Sequence, residues 1–199
     1  VQVGSTLAYR GIPLQSAYCG AKHALQGFTE SVRAELMHDG SRVHITMVHL
    51  PAMNTPQFGW VKTRLPRKPQ PVPPIYEPEV AAEAIFWAAH HRRRELFVGL
   101  NTEVLVTGNK IAPWLGDRYL AKTGFESQMY DGPPEPERQD NLWEPVPGDQ
   151  GARGVFSHRA KESSRQLWLT THRQWLAAAG GVLAAVAAGF YRLLRANSR

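Results

Sequence analysis

The fold is decided by a stretch that reads Val3-Gly-Ser-Thr-Leu-Ala-Tyr-Arg-Gly-Ile-Pro-Leu-Gln-Ser-Ala-Tyr-Cys-Gly-Ala-Lys22. It begins in a short, largely apolar run, residues 1–6, that contains Gly4 and Ser5, a pattern typical of a buried strand that ends at a functional loop. Further along, apolar residues recur at spacings of three and four, which predicts an amphipathic helix with the positions Ala17, Ala21, Ala24, Leu25, Phe28, Val32 and Leu36. Ser16 is suited to the N-cap of this helix and Gly40 to its end.

A second strand is predicted directly after this helix. Residues 42–50 are rich in β-branched side chains, and the run closes at Pro51. A strand, a helix and a strand in this order form a βαβ unit, whose crossover we expect to be right-handed. The pattern therefore predicts an α/β protein with a Rossmann-like, doubly wound parallel sheet.

The next part of the chain alternates between loops and short regular elements. Residues 66–78 contain six prolines and are predicted to be a loop. Residues 79–92 have helical spacing, residues 95–99 resemble a short strand, and residues 101–122 are weakly helical.

Three side chains near the first strand and the helix suggest proton-transfer chemistry. Tyr18 and Lys22 are four residues apart, so they share one helix face, and Ser5 ends the strand that borders the same crevice. A nearby ammonium would lower the pKa of a phenol from its ordinary value of about 10, and a hydroxyl could donate a hydrogen bond to a substrate oxygen. The alternative interpretation is that Tyr18 caps the helix and Lys22 is a solvated helix residue.

In order and spacing, these residues resemble the short-chain dehydrogenase/reductase family. The family has a serine thirteen residues before its tyrosine, as Ser5 precedes Tyr18, and a Tyr-x-x-x-Lys motif, as in Tyr18 and Lys22. Its Pro-Gly and later Thr correspond to the stretch Pro51-Ala52-Met53-Asn54-Thr55, in which Ala replaces Gly.

The resemblance implies hydride transfer between NAD or NADP and a small-molecule alcohol or carbonyl. Tyr18 would be the general acid/base, Lys22 would lower the pKa of Tyr18 and hold the nicotinamide ribose, and Ser5 would orient the substrate oxygen. The cofactor would be contacted by Tyr18, Lys22, Pro51, Ala52, Met53 and Thr55.

The resemblance extends over residues 1–122 and implies that residues 1–124 are the C-terminal half of the family's domain. The Gly-rich turn that holds the pyrophosphate, the residue that selects NAD or NADP and the catalytic Asn would precede residue 1. We therefore expect a chain that begins in mid-domain and binds NAD(P) weakly on its own. The alternative is a truncated, catalytically incomplete domain that acts by binding a membrane or a partner through its tail.

Charge and composition divide the remaining chain into two parts. Residues 125–156 carry two basic and seven acidic groups with many Pro and Gly residues, and are predicted to be an extended linker. Residues 157–199 carry seven basic groups and one acidic group. Within them, residues 175–191 are an uncharged, Ala-rich run with Trp175 and Tyr191 at its ends, which predicts an apolar helix that anchors the protein to a membrane. The alternative is a buried or dimerising helix.

Composition excludes several classes of protein and site. The chain has one cysteine, Cys19, so an intrachain disulfide and a Cys-rich zinc site are excluded, and we expect a cytoplasmic location and no metal site. The net charge is +6, but no repeated aromatic-plus-basic pattern accompanies it, so we expect no nucleic-acid binding. Four basic residues decorate the Pro-rich loop and would either contact an anionic substrate group or remain solvated: Lys62, Arg64, Arg67 and Lys68. A homo-oligomer is compatible with the sequence.

Overall fold

The computed structural model describes residues 1–133, 135 and 138–197. For residue 185 and for residues 189–197 it describes the backbone but not the side chains. Its strands are β1 (Gln2–Ser5), β2 (Met47–Leu50), β3 (Ala52–Met53), β4 (Lys68–Pro69), β5 (Ile75–Tyr76), β6 (Glu95–Phe97) and β7 (Met129–Tyr130). Its helices are α1 (Ser16–His38), α2 (Gln57–Trp60), α3 (Pro78–His90), α4 (Leu100–Ile111), α5 (Pro113–Thr123), α6 (Arg165–Thr171) and α7 (Arg173–Asn197). The chain divides into two compact units, residues 1–164 and residues 165–199.

The core of the first unit is a parallel sheet in the order β1-β2-β6. Val3 lies opposite Val48, and Val48 lies opposite Leu96. The central strand is buried on both faces, since Met47, Val48 and His49 are each at most 1% exposed. This is the burial expected of a parallel strand covered on both sides, and it confirms the predicted α/β class with a parallel sheet.

The first helix lies where the sequence predicts it, but it buries a different face. Its buried residues are Cys19 and Thr29, whereas Phe28 is 56% exposed. Ala21 and Ala24, which share the predicted apolar face, are exposed as well. Ser16 is the first helical residue, and the N-cap position is taken by Gln15 without a side-chain cap.

Three predicted elements differ in length or content. The strand predicted over residues 42–50 is confined to Met47–Leu50. The Pro-rich loop contains two short strands: β5 pairs in parallel with β3, and β4 pairs with a strand far along the chain. The weakly helical residues 101–122 form two helices, α4 and α5.

The prediction that residues 125–156 are an extended linker is wrong. The strand β7 pairs antiparallel with β4, and Gln128, Met129 and Phe156 are buried. The acidic residues of this stretch also pair with the basic Pro-rich loop, through Lys62–Asp140 at 2.8 Å, Arg67–Glu126 and Lys68–Glu135 at 3.9 Å. The composition argument failed because it treated the stretch alone, whereas its partners are supplied by residues 62–69. We call residues 125–164 the C-terminal segment.

The second unit consists of α6 and α7. A helix does cover the predicted run 175–191. Among the residues that the structure describes, however, no helix is long and apolar enough to cross a membrane, so the predicted membrane span is not supported. Tyr191, at the predicted end of the run, belongs to the residues whose side chains lie outside the description.

Candidate active site

Ser5 lies at the carboxyl end of β1, where the strand gives way to a 3-10 turn over Thr6–Ala8. Its Oγ accepts a hydrogen bond from the backbone N–H of Leu7 at 3.1 Å, which caps the turn. The residue is 8% exposed. Because the backbone bond uses an acceptor position of Oγ, the hydroxyl hydrogen remains available for another partner.

Tyr18 is in the first turn of α1 and is 44% exposed, so its ring is accessible from outside the fold. Partial burial raises the pKa of Tyr18 above its ordinary value, and the Ser5 hydroxyl acts on the pKa in the opposite direction. The phenol is therefore protonated at neutral pH.

Lys22 lies one turn further along α1. Its Nζ is 5.6 Å from the centroid of the Tyr18 ring and donates a hydrogen bond to the Val3 carbonyl at 3.0 Å. Burial lowers the pKa of Lys22. The expectation that this ammonium makes the pKa of Tyr18 lower than usual is not met, because burial of the phenol outweighs the influences that lower its pKa.

The stretch Pro51–Thr55 follows β2 at the same sheet edge. Ser5 is paired in register with Leu50, the residue immediately before Pro51, so both site segments leave the sheet side by side. Ala52 and Met53 form β3. Among the described non-glycine residues only Leu14 has a positive φ, so the backbone at Ala52 does not require the glycine that the family has there.

Asn54 lies inside the predicted cofactor-contacting stretch but was not singled out from the sequence. It is fully buried. Its Nδ2 donates to Glu77 Oε2 and to Ser157 Oγ, both at 2.9 Å, and its Oδ1 accepts from the Phe156 N–H at 3.0 Å. Two of these three partners lie about 100 residues downstream, a separation at which no local pattern could reveal them.

A second buried polar group lies behind Ser5. The Tyr9 hydroxyl donates to Glu95 Oε1 at 2.5 Å, and His49 Nε2 lies 3.7 Å from the same oxygen. His49 Nδ1 is 3.4 Å from the Ser5 carbonyl oxygen. A Cβ at Gly4 would lie 2.8 Å from His49 Nδ1, so glycine is required where the strand crosses this ring.

The neighbours of Glu95 favour its charged form. The His49 imidazole is the largest influence, and with the Tyr9 hydroxyl it lowers the pKa of Glu95 to about 2, although burial opposes the shift. Burial raises the pKa of Tyr9, and its hydrogen bond to Glu95 raises it further. His49 itself is fully buried inside the fold.

Comparison with known proteins places these residues in a family. The sequence profile of the short chain dehydrogenases matches residues 1–64, which contain Ser5, Tyr18, Lys22 and the stretch 51–55. The uncharacterized oxidoreductase YxnA of Bacillus subtilis (strain 168) is 34% identical over 145 residues, 72% of this chain. Both matches support a relationship of the chain to the short-chain dehydrogenase family.

The chain accounts for only part of its relative's length. The aligned region corresponds to 41% of YxnA. No solved structure matches the chain.

The residues present are suited to the nicotinamide end of a dinucleotide. The Tyr18 hydroxyl and the Lys22 ammonium, which is half-buried, are hydrogen-bonding groups at the edge of β1. Thr55 is also half-buried and contributes a further hydroxyl group. Groups of these kinds can bond ribose hydroxyls and a carboxamide.

Proposed function

We propose that this chain carries the proton-transfer site of an NAD(P)-dependent oxidoreductase that interconverts an alcohol and a carbonyl. The observation that supports this most is that Lys22 Nζ lies 5.6 Å from the centroid of the Tyr18 ring and is held there by its hydrogen bond to the Val3 carbonyl, two residues before Ser5. Two hydroxyls and an ammonium meet at an accessible sheet edge, where ligands of parallel α/β sheets bind.

In the direction of reduction, Tyr18 acts as the general acid. Its raised pKa keeps the phenol protonated at neutral pH, so a proton is available for the substrate oxygen as that oxygen becomes an alkoxide. Ser5 donates a hydrogen bond to the same oxygen and fixes its position beside the phenol. The nicotinamide cofactor, when bound, supplies the hydride.

Lys22 has two tasks in this proposal. Its ammonium binds the hydroxyls of the nicotinamide ribose, and its positive charge favours the phenolate that remains after the proton has left Tyr18. Thr55 and the adjacent Pro51, Ala52 and Met53 contact the carboxamide end of the cofactor. The cofactor is NAD or NADP, and the substrate is a small alcohol or carbonyl compound.

The test is a comparison of Tyr18→Phe with the natural full-length protein. We expect NADH or NADPH oxidation in the presence of a panel of aldehydes and ketones to fall by about 10²–10⁴-fold, the usual loss when a general acid is removed. Binding of the cofactor, measured by fluorescence titration, should be nearly unchanged because the ring remains.

A matched control is Tyr119→Phe, which removes a hydroxyl from a tyrosine that is 62% exposed on α5. It should keep full activity. Turnover by Tyr18→Phe within a factor of two of the parent would contradict the assignment of Tyr18. If the parent itself has no NAD(P)-dependent turnover or cofactor binding, the non-catalytic alternative is favoured.

A further inference from the structure

The loop that carries Thr55 is fastened to the C-terminal segment at a single buried residue. Asn54 is 0% exposed, and all its hydrogen-bonding groups are satisfied. Besides the three side-chain bonds described above, its backbone N–H donates to the Tyr76 carbonyl at 2.8 Å and its carbonyl accepts from the Gly154 N–H at 3.0 Å. We call Asn54, Glu77, Gly154, Phe156 and Ser157 the Asn54 cluster.

Gly154 brings the C-terminal segment into direct contact with the backbone of Thr55. A Cβ at this position would lie 2.6 Å from the Thr55 carbonyl oxygen and 2.8 Å from Asn54 Oδ1. Any other residue would therefore have to push the Thr55 peptide away. The φ of Gly154 is not positive, so the requirement for glycine comes from this close approach and not from its backbone conformation.

Phe156 anchors the same region from the apolar side. It is 2% exposed and makes edge-to-face contacts with Phe58 and Tyr130, at centroid distances of 6.0 and 5.4 Å. Phe58 belongs to α2, the short helix that begins two residues after Thr55. The anchored aromatic ring and the bonded Asn54 amide thus immobilise the loop on both sides of Thr55.

Lys161 connects the segment to the neighbouring strand. Its N–H donates to the Ile75 carbonyl at 2.9 Å, and its carbonyl accepts from the Glu77 N–H at 3.0 Å. This bridge fixes Glu77, whose carboxylate receives the Asn54 amide. Glu77 is therefore held in place independently of Asn54.

From this arrangement we infer that the Asn54 cluster is a positioning device, through which the C-terminal segment sets the place of Thr55 for contact with the nicotinamide cofactor. The inference rests on the proposed function, because it takes Thr55 as a cofactor contact. Ser157 and Gly154 act through Asn54 and Thr55 and touch no substrate. Cofactor affinity is accordingly determined in part by residues about 100 positions beyond the loop that binds it.

The test uses three variants of the natural full-length protein and titration with NADH and NADPH. Ser157→Ala removes one acceptor of the buried Asn54 amide, and we expect the cofactor Kd to rise about 3–10-fold, as for loss of one hydrogen bond to a buried group. Ser157→Thr retains the hydroxyl, and should restore the parental Kd. Gly154→Ala, which displaces Thr55, should raise the Kd more than Ser157→Ala.

Two further measurements separate positioning from general destabilisation. The controls Ser163→Ala, an exposed serine of the same segment, and Gly27→Ala, where a Cβ meets nothing within 4 Å, should leave the Kd unchanged. Hydrogen exchange at the Asn54 and Thr55 amides should accelerate in Ser157→Ala, with the melting temperature within a few degrees of the parent. In kinetics, the cofactor KM should rise while kcat stays within twofold.

The outcomes distinguish this inference from the proposed function. If the parent binds cofactor and both Ser157→Ala and Gly154→Ala have a Kd within twofold of the parental value, this inference is overturned, whereas the proposed function is not. Faster amide exchange without a change in Kd would also overturn it, because the loop would have moved without affecting the cofactor. A parent that binds neither NADH nor NADPH contradicts the proposed function and removes the inference with it. If Gly154→Ala does not fold, the comparison of Ser157→Ala with Ser157→Thr tests the inference instead.

Discussion

At the scale of single residues, the protonation state of the Tyr18 hydroxyl governs what the site can do. Its place beside the same crevice as Ser5 could be predicted from the βαβ order, and its proximity to Lys22 from the four-residue spacing on a helix. The direction of its pKa shift could not, because it depends on how much of the ring is buried. Asn54 was missed for a related reason, since its partners come from distant parts of the chain.

A pH dependence follows from the raised pKa of Tyr18. The phenol is the acid form, so the ability to donate a proton is present below the raised pKa and is lost as the pH rises through it. Because the Ser5 hydroxyl lowers this pKa, Ser5→Ala should move the phenolate transition to a higher pH. Spectrophotometric titration of the phenolate measures this transition, as the difference between each protein and the same protein with Tyr18→Phe. A transition at lower pH in Ser5→Ala would contradict the influence of Ser5 on Tyr18.

Glu95 gives a second prediction, on stability in acid. Its folded-state pKa of about 2 is below the ordinary value of 4.5, so its contribution to stability is fully present above about pH 4.5 and is lost as the pH falls towards 2. Glu95→Gln should therefore reduce the free energy of unfolding by about 2–3 kcal/mol at neutral pH and by much less near pH 2. Urea unfolding at several pH values measures this, with the exposed Glu144→Gln as the control. An equal loss at all pH values would show that the charge of Glu95 is not responsible.

At the scale of elements, strands and helices with strong local periodicity were predictable, and elements made by distant pairing were not. The helix α1 agreed with its predicted range to within two residues, and the parallel pair β1–β2 followed from the βαβ pattern. The short strands β4 and β7 are only two residues long and exist because they pair with each other across about 60 residues. Neither has a sequence pattern of its own.

The ion pairs between the Pro-rich loop and the C-terminal segment contribute little to the stability of this contact. Glu126 and Glu135 are each more than 70% exposed in these pairs, and exposed pairs typically contribute less than about 1 kcal/mol. The apolar anchor Phe156 is buried, so we attribute most of the stability of the contact to it.

Phe156→Ala should accordingly destabilise the protein by about 3–5 kcal/mol, the usual cost of removing a buried aromatic side chain. The neighbouring Val155 is 72% exposed, and Val155→Ala should change the free energy of unfolding by less than about 0.5 kcal/mol. Equilibrium unfolding in urea compares the two. Similar midpoints for both variants would mean that Phe156 does not anchor the segment.

At the scale of the whole molecule, the first compact unit is longer than the sequence suggested. The predicted domain ended at residue 124, but the unit continues to Ser164 because the C-terminal segment packs against the loops around the site. Gln128, for example, donates to the Pro13 carbonyl and bonds the Gln15 side chain, on the loop between Ser5 and Tyr18. Composition predicted disorder there because it could not show that these partners exist.

Truncation tests this boundary. A variant ending at residue 164 should unfold cooperatively, because it retains the whole first unit. A variant ending at residue 124 loses the partners of β4, Asn54 and Phe58, and should show a lower melting temperature and faster proteolysis of the Pro-rich loop. Equal melting temperatures for the two variants would mean that the domain ends at residue 124, as the sequence predicted.

The central claim is that Tyr18, with Ser5 and Lys22, delivers a proton to the oxygen of a carbonyl group whose carbon receives hydride from a nicotinamide. The most direct measurement uses NADH and NADPH with both hydrogens at C4 of the nicotinamide replaced by deuterium, the natural full-length protein and a reducible aldehyde or ketone, with mass spectrometry of the alcohol formed. The account predicts one deuterium on the alcohol carbon in the parent, and loss of nearly all labelled alcohol in Tyr18→Phe while the cofactor still binds. Unlabelled alcohol from the parent, or labelled alcohol formed at the parental rate by Tyr18→Phe, would contradict it.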